Sequence, residues 1–370
     1  MINLVFETSG GGTHGPTGPR GPPREEGNLS ERERPLRVLV TGGAGYIGSH
    51  VVRQLHEAGH AVVVYDNLGT GHRWAVGDAE LVVADLADRP RLEAVLAGGG
   101  FDAVMHFAGH IWVAESLADP AKYYANNAAN ALQLFELCAR HGVPRMVFSS
   151  TAAVYGTPAE VPIKETAPLA PINPYGASKM MAERMLADIA RASGLRHAIL
   201  RYFNVAGADP LARLGEATPD STHLIKVACE AALGRRPGGL RINGTDYPTP
   251  DGTCVRDYIH VEDLAAAHLA ALRYLCAGGA PVVLNCGYGR GFSVREVVEA
   301  VRRITGVAFP VAEGPRRPGD PPVLVADATR VREVLGWRPR YDDLELIVRT
   351  AWAWEQRLPE LAARSQAAAE

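Results

Sequence analysis

Hydrophobic positions along this chain fall into two alternating rhythms. Blocks such as Arg37-Val38-Leu39-Val40-Thr41, residues 61–65 and residues 81–84 are short, apolar and rich in β-branched side chains. That length and composition predict buried strands. Further strands are predicted at residues 101–109 with their loop, at 146–151 and at 197–204. Helical stretches separate them, at 49–58, 91–96 and 121–141. Another helix begins at Pro174 and continues through the Met- and Ala-rich run to residue 187. Pro174 suits a first helical turn, where its missing N–H needs no partner. Strands spaced by helices predict an α/β fold, a doubly wound parallel sheet covered on both faces. In such sheets ligands gather at the carboxyl ends of the strands. Asp66, Asp85, Ala108, Thr151 and Asn204 all fall at such ends.

The texture changes near residue 210. Loops rich in Gly, Pro and charge (238–256 and 313–322) then alternate with short strands and with helices such as 261–275 and 294–304. The expected organisation is a sheet domain over 36–210 and a smaller C-terminal α/β substrate lobe over 211–358, some of whose elements return to the large domain. Residues 1–35 hold Gly, Pro, Arg and Glu with little to bury and read as a disordered extension. Residues 359–370 read as a frayed, alanine-rich tail.

Two stretches carry chemistry. The first strand ends in Gly42-Gly43-Ala44-Gly45-Tyr46-Ile47-Gly48, a glycine turn that opens a helix. Absent side chains let the backbone turn tightly and let a pyrophosphate reach the helix N-terminus. The next strand ends in Asp66, about 20 residues on, where a ribose hydroxyl is expected. A carboxylate there repels a 2′-phosphate, so NAD is favoured over NADP in a Rossmann-type site. The second stretch is Asn173-Pro174-Tyr175-Gly176-Ala177-Ser178-Lys179. Tyr175 and Lys179 stand one above the other on a helix face. A free phenol ionises near pH ~10; a nearby ammonium lowers that value and makes the phenolate a usable base. On exposed helices such a pair is common and idle, so its weight comes from the cofactor motif beside it.

Composition removes other classes. The chain has 370 residues, 47% of them hydrophobic, with a net charge of −3. That balance gives no reason to expect nucleic acid or an anionic membrane as partner. Five scattered cysteines without a Cys-x-x-Cys argue against a disulfide framework and against zinc, and fit a reducing cytoplasm. No metal site is expected. No apolar run reaches the ~18 residues of a membrane span, and residues 4–6 are too short for a signal peptide core.

Taken with Tyr65-Asp66-Asn67-Leu68, Ser149-Ser150-Thr151-Ala152-Ala153-Val154-Tyr155-Gly156, Arg201-Tyr202-Phe203-Asn204 and the stretch from Asp246 to Val261, these motifs closely resemble the UDP-glucose 4-epimerases. These are extended short-chain dehydrogenases/reductases. The resemblance runs from about residue 37 to about residue 357. It implies interconversion of UDP-galactose and UDP-glucose by transient oxidation at C4, with tightly held NAD. Tyr175 would act as base, Thr151 would bond the same oxygen, and Lys179 would bind the nicotinamide ribose and keep Tyr175 acidic. NAD would be held by Gly42, Gly45, Tyr46, Ile47, Asp66, Asn67, Asp85, Leu86, Phe107, Ala108, Asn126, Tyr175, Lys179 and Tyr202. The UDP-sugar would meet Thr151, Tyr175, Asn204, His223, Leu224, Arg256, Arg317, Asp320 and Leu324. A homodimer through the helices 121–141 and 175–193 is implied as well.

Departures from the family pattern carry information. Ile111 stands where some members have a lysine near the cofactor, and His223 replaces an asparagine of some relatives. Leu324 stands where some have a bulkier tyrosine, which predicts room for a 2-acetamido group. The related nucleotide-sugar 4,6-dehydratases place an Asp-Glu pair after the threonine; Ala152 and Ala153 here cannot move a proton, which disfavours dehydration. Epimerases of UDP-xylose or UDP-N-acetylhexosamines stay open. A non-catalytic NAD-binding regulator is disfavoured, because such proteins typically lack the tyrosine or the lysine.

Overall fold

The structure is a computed structural model that describes residues 34–367. Nearly all of the expected N-terminal extension, and the last three residues of the expected tail, lie outside the described residues. The chain opens with β1 (Arg37–Thr41), α1 (Tyr46–Glu57), β2 (Ala61–Asp66), β3 (Glu80–Val83), α2 (Arg89–Gly99) and β4 (Ala103–His106). Then come α3 (Val113–Ala118), α4 (Pro120–Tyr123), a π-helical turn (Tyr124–Ala129), α5 (Asn130–Arg140) and β5 (Arg145–Thr151). α6 (Pro174–Ser193), β6 (Arg196–Tyr202) and β7 (Asn204–Ala206) follow, then α7 (Leu224–Ala232), β8 (Leu240–Asn243) and β9 (Val255–His260). The C-terminal part holds α8 (Val261–Cys276), β10 (Val282–Cys286), β11 (Gly291–Ser293), α9 (Val294–Thr305), β12 (Val311–Gly314), β13 (Val323–Leu324), α10 (Thr329–Leu335) and α11 (Leu344–Ala367).

Parity along the strands decides the layering. Successive strand residues point to opposite faces. Val38, Val40, Val62, Val64, Met105, Val147 and Leu200 therefore enter one core with Val51 and Leu55 of α1 and Leu264 and Leu272 of α8. Leu39, Val63, Tyr65, Val104, Phe148 and Ile199 enter the other with Leu92 of α2, Leu134 and Phe135 of α5 and Leu186 of α6. The result is a seven-stranded parallel sheet in the order β10-β6-β5-β4-β1-β2-β3. Smaller sheets are β11-β9-β13, with β7 on β9, and β12-β8. The Rossmann-type fold read from the sequence is the fold observed.

Within residues 211–358, with some elements expected to return to the large domain, β10 pairs with β6 and α8 covers the face it shares with α1. Other boundaries differ from expectation. The single helix expected over 121–141 contains a π turn at Tyr124–Ala129, a register defect common near functional sites. β6 ends at Tyr202, so Asn204 opens a separate strand paired with Tyr258 rather than closing the large sheet. Most of the expected tail continues α11, through Pro359. No helix among the described residues is long and apolar enough to cross a membrane.

A buried ionic cluster joins the glycine-turn helix to α8. His50 Nδ1 lies 2.5 Å from Glu262 Oε1, Gln54 Nε2 donates to Oε2 at 2.8 Å, and the Arg53 guanidinium reaches the same carboxylate. Burial pushes the Glu262 carboxyl up, but His50 and Arg53 outweigh it and hold the group down at about 2, against an ordinary 4.5. A depressed carboxyl contributes stability that is complete above its unfolded value and is lost as pH falls toward the folded one. Glu262→Gln is therefore expected to cost roughly 3 kcal/mol at neutral pH. Urea titrations should show that gap narrowing as pH falls from about 4.5 toward about 2. A gap independent of pH would mean the charge is not its source.

Candidate active site

Local sequence places the Tyr175/Lys179 pair. The Asn173 side chain accepts the Gly176 N–H at 2.8 Å and caps α6, with Pro174 in the first turn. Both side chains point into the protein, and both are buried. Lys179 Nζ donates to the Ser149 carbonyl at 3.0 Å, near the end of β5, and sits 4.8 Å over the Phe148 ring. Thr151, the last residue of β5, accepts the Ala153 N–H at 3.1 Å and lies close enough to Tyr175 to favour its phenolate. Tyr175, Thr151 and Lys179 thus converge at one strand end.

The electrostatics are not those expected from the spacing. Burial raises the Tyr175 phenol above its ordinary value, and the Thr151 hydrogen bond only partly opposes this. Lys179 is instead pulled down to about 8 by burial, with Glu183 one turn later favouring the ammonium. The four-residue spacing correctly stacks the pair but says nothing of burial, and burial dominates both groups. In the chain alone Tyr175 is a proton holder; further positive charge must reach it before it serves as a base.

The glycine turn makes a cradle at the N-terminus of α1. Gly42 has φ +74°, and a methyl built on it would fall 2.4 Å from the Ala108 nitrogen. Gly45 stands at the N-cap without a side-chain cap, so the first-turn N–H groups of this twelve-residue helix are left for an anion. Asp66 accepts the Ala44 N–H at 3.0 Å and the Leu68 N–H at 2.8 Å, one on each oxygen, keeping lone pairs for ribose hydroxyls. Asn67 donates to Asp85 at 2.7 Å, across the ends of β2 and β3. Phe107 and Ala108 both donate their N–H to Thr41 after β4. A methyl on Gly109 would lie 3.5 Å from Lys179 Nζ, which brings the cradle to α6. These residues fit a dinucleotide.

The expected substrate residues fall into two groups joined by β9. Asn204, His223 and Leu224 line one cleft with Tyr46 and Tyr258. Arg256, two residues before Tyr258 on β9 and so on the same face, faces Asp320 at 3.8 Å; Arg317 faces it at 3.9 Å. Leu324 pairs in register with Arg256 and packs beside Ala152 and Phe203. The loop between β12 and β13 reaches the start of α6, since a methyl on Gly319 would stand 3.9 Å from the Asn173 side-chain nitrogen. Arg316, next to Arg317, is committed elsewhere: it pairs with Asp246 at 2.7 Å and lies over the Tyr247 ring.

Residues 38–287 match the NAD dependent epimerase/dehydratase family. The chain belongs to that family. A UDP-glucose 4-epimerase of Azospirillum brasilense is 58% identical over 325 residues, 88% of this chain and 93% of that protein. Among solved structures, a UDP-glucose 4-epimerase from Brucella ovis in complex with NAD is 48% identical with a TM-score of 0.83, covering 86% of this chain and 98% of that one. The UDP-Glc/GlcNAc 4-epimerase of Campylobacter jejuni is 49% identical with a TM-score of 0.76, over 87% and 99%. The cofactor of this family member is NAD, as the sequence reading had it.

Three further residues beside this site are not singled out by the sequence. Ser149 accepts Lys179 through its carbonyl, while its hydroxyl donates to the Tyr202 hydroxyl at 3.1 Å and lies 3.3 Å from His268 Nε2. His268 comes from α8, and its ring lies tilted against Phe107 at 4.8 Å between centroids. Asn127, in the π turn beside Asn126, bonds both the His110 N–H and its carbonyl and reaches Ser178 at 3.3 Å. Ser149 stands in a quoted motif and could have been found. His268, 119 residues away, has no local signal. Asn126 donates to Asn127 at 3.0 Å, Leu86 is buried in the second core, and Ile47 packs on the first.

Proposed function

We propose that this chain interconverts UDP-galactose and UDP-glucose at C4, with Tyr175 moving the proton of the 4-hydroxyl. The observation that carries this is the convergence of Thr151, Tyr175 and Lys179 at the end of β5, with Ala152 and Ala153 next in line. When bound, NAD supplies a hydride acceptor and donor for C4 and the positive charge of its nicotinamide ring. That charge and Lys179 offset the burial that otherwise keeps the Tyr175 proton in place. Thr151 would orient the reacting oxygen, and its hydroxyl beside Tyr175 favours the phenolate. Gly42, Gly45, Asp66, Asp85 and the Phe107–Ala108 turn would hold the dinucleotide, with Lys179 on the nicotinamide side. Arg256 and Arg317 would grip the diphosphate, as guanidinium forks do. Asn204, His223 and Leu224 would hold the same nucleotide from the other wall. A firmly held UDP leaves the hexose free to turn between the two faces presented to the cofactor.

A second substrate pair is favoured by one residue. Leu324 is a compact side chain next to Ala152, on β13 directly opposite Arg256 of β9, and would leave room for a 2-acetamido group. The likeness to a dual-specificity epimerase of Campylobacter jejuni supports it. Purified protein is expected to convert UDP-galactose to UDP-glucose without added oxidant, and UDP-N-acetylgalactosamine to UDP-N-acetylglucosamine more slowly. No turnover of UDP-galactose ends the first reading; turnover confined to the plain hexoses ends the second.

The chain would work as a homodimer. Tyr124, Ala128, Met180, Met181 and Met185 line an apolar groove between the π turn and α6, and Met181 is 43% exposed. An apolar surface on two parallel helices suits an isologous contact with a second copy. Sedimentation should give twice the 39.5 kDa of the chain, and Met181→Glu should yield monomer. A monomeric wild type rules this out.

A further inference from the structure

The loop before α7 builds a carboxylate–imidazole pair into the wall of the nucleotide cleft. Glu216 is buried, and its Oε1 lies 2.8 Å from His223 Nδ1 and 2.5 Å from Ser221 Oγ. Ser221 Oγ in turn accepts the His223 backbone N–H at 3.2 Å. Three contacts therefore fix one edge of the ring. The His223 side chain is 36% exposed, while that of Glu216 is 8% exposed. Nε2, on the other edge, has no hydrogen-bond partner among the described residues. The ring belongs to the wall shared with Asn204, Leu224 and Tyr258.

An imidazole with Nδ1 against a carboxylate carries its proton there. Its neutral form then offers only a lone pair at Nε2. A sugar-nucleotide diphosphate also offers only acceptors, so the two repel. The imidazolium alone presents Nε2–H to a phosphate oxygen. We infer that Glu216 is a positioning residue that makes the His223 contact with the UDP-sugar diphosphate proton-dependent, so that affinity for the nucleotide falls as the imidazolium is lost. This rests on the assignment of the cleft to UDP.

The surroundings set the range. Burial disfavours the imidazolium, Glu216 more than offsets it, and Lys226 works against it, leaving His223 above its ordinary 6.5. Lys226 is itself paired to Glu355 at 2.6 Å and to Glu230 at 3.2 Å. Tyr46 of α1 and Tyr258 of β9 complete the facing groups, and burial raises both phenols. A raised imidazole keeps the contact complete at low pH and loses it as pH climbs through that raised value.

The experiment measures KM for UDP-glucose, kcat and bound NAD from about pH 6 to about pH 8.5, the imidazole range. The diphosphate diester does not titrate there. In the wild type KM should rise by about tenfold, the size of one charge-assisted hydrogen bond. In His223→Asn, whose amide donates at every pH, KM should be flat. In Glu216→Gln the rise should begin at lower pH. Calorimetry of UDP-glucose binding in buffers of different ionisation enthalpy should show proton uptake by the wild type, whether or not the variants fold. No uptake, or the wild-type rise persisting in His223→Asn, overturns the inference. A wild type that binds no UDP-glucose would instead sink the assignment of the cleft.

Discussion

Tyr175→Phe is expected to lower kcat for UDP-galactose by on the order of a thousandfold, the span of one general acid–base group. NAD content should stay at the wild-type level. The variant keeps the ring, which meets Tyr123 edge-on at 6.4 Å, and removes only the hydroxyl. Lys179 keeps its bond to Ser149, and the glycine cradle is untouched. What disappears is the hydroxyl proposed to exchange a proton with the sugar. Thr151 cannot replace it, because an aliphatic hydroxyl is far too weak an acid to ionise near neutral pH. The measurement is kcat beside the cofactor released on denaturation. Activity within tenfold of wild type would remove Tyr175 as the base, and lost NAD would make it a structural residue.

The same site shows what was legible in the chain and what was not. The strand, glycine turn, helix and strand from Arg37 to Asp66 could be read because each signal is local: apolar blocks, absent side chains and one carboxylate at a strand end. The stacking of Tyr175 on Lys179 is equally local. Their charge states are not. Packing of α6 against β5 and the π turn sets them, and those contacts arise from residues far away in sequence. Likewise nothing near residue 268 announces a histidine against Ser149, because α8 reads as a helix wherever it packs. That β10 is an element that returns to the large sheet is not marked locally either, since Val282-Val283-Leu284-Asn285-Cys286 suits any sheet edge. Arg316 and Arg317 are adjacent and alike, yet only the fold sends one to Asp246 and the other toward Asp320.

Gly42→Ala is expected to strip the protein of cofactor and to weaken the fold itself. The residue sits at φ +74°, a region that costs an alanine about 1 to 2 kcal/mol before any contact is counted. Its methyl would also stand 2.4 Å from the Ala108 nitrogen, 2.7 Å from the Ala108 Cα and 2.8 Å from the Phe107 carbonyl carbon. All three are backbone atoms, so no rotamer change relieves them. The Gly42 N–H is held by the Tyr65 carbonyl at 2.9 Å, and the Ala108 N–H by Thr41 at 3.1 Å. Making room therefore means separating the ends of β1, β2 and β4, where the dinucleotide is to lie. A total loss of roughly 3 kcal/mol follows, with bound NAD and epimerase activity both falling by about a hundredfold. Gly45→Ala separates the two causes. Its backbone is ordinary, at φ −81°, and its methyl would make only a 3.4 Å contact with the Gly42 carbonyl. That variant should melt close to the wild type yet bind NAD poorly, because the methyl covers the open N-terminus of α1. Thermal melting and released NAD, measured on both variants, decide the matter: if Gly42→Ala keeps its cofactor, the turn does not hold the pyrophosphate, and if Gly45→Ala melts as early as Gly42→Ala, strain at φ +74° is not what destabilises the latter.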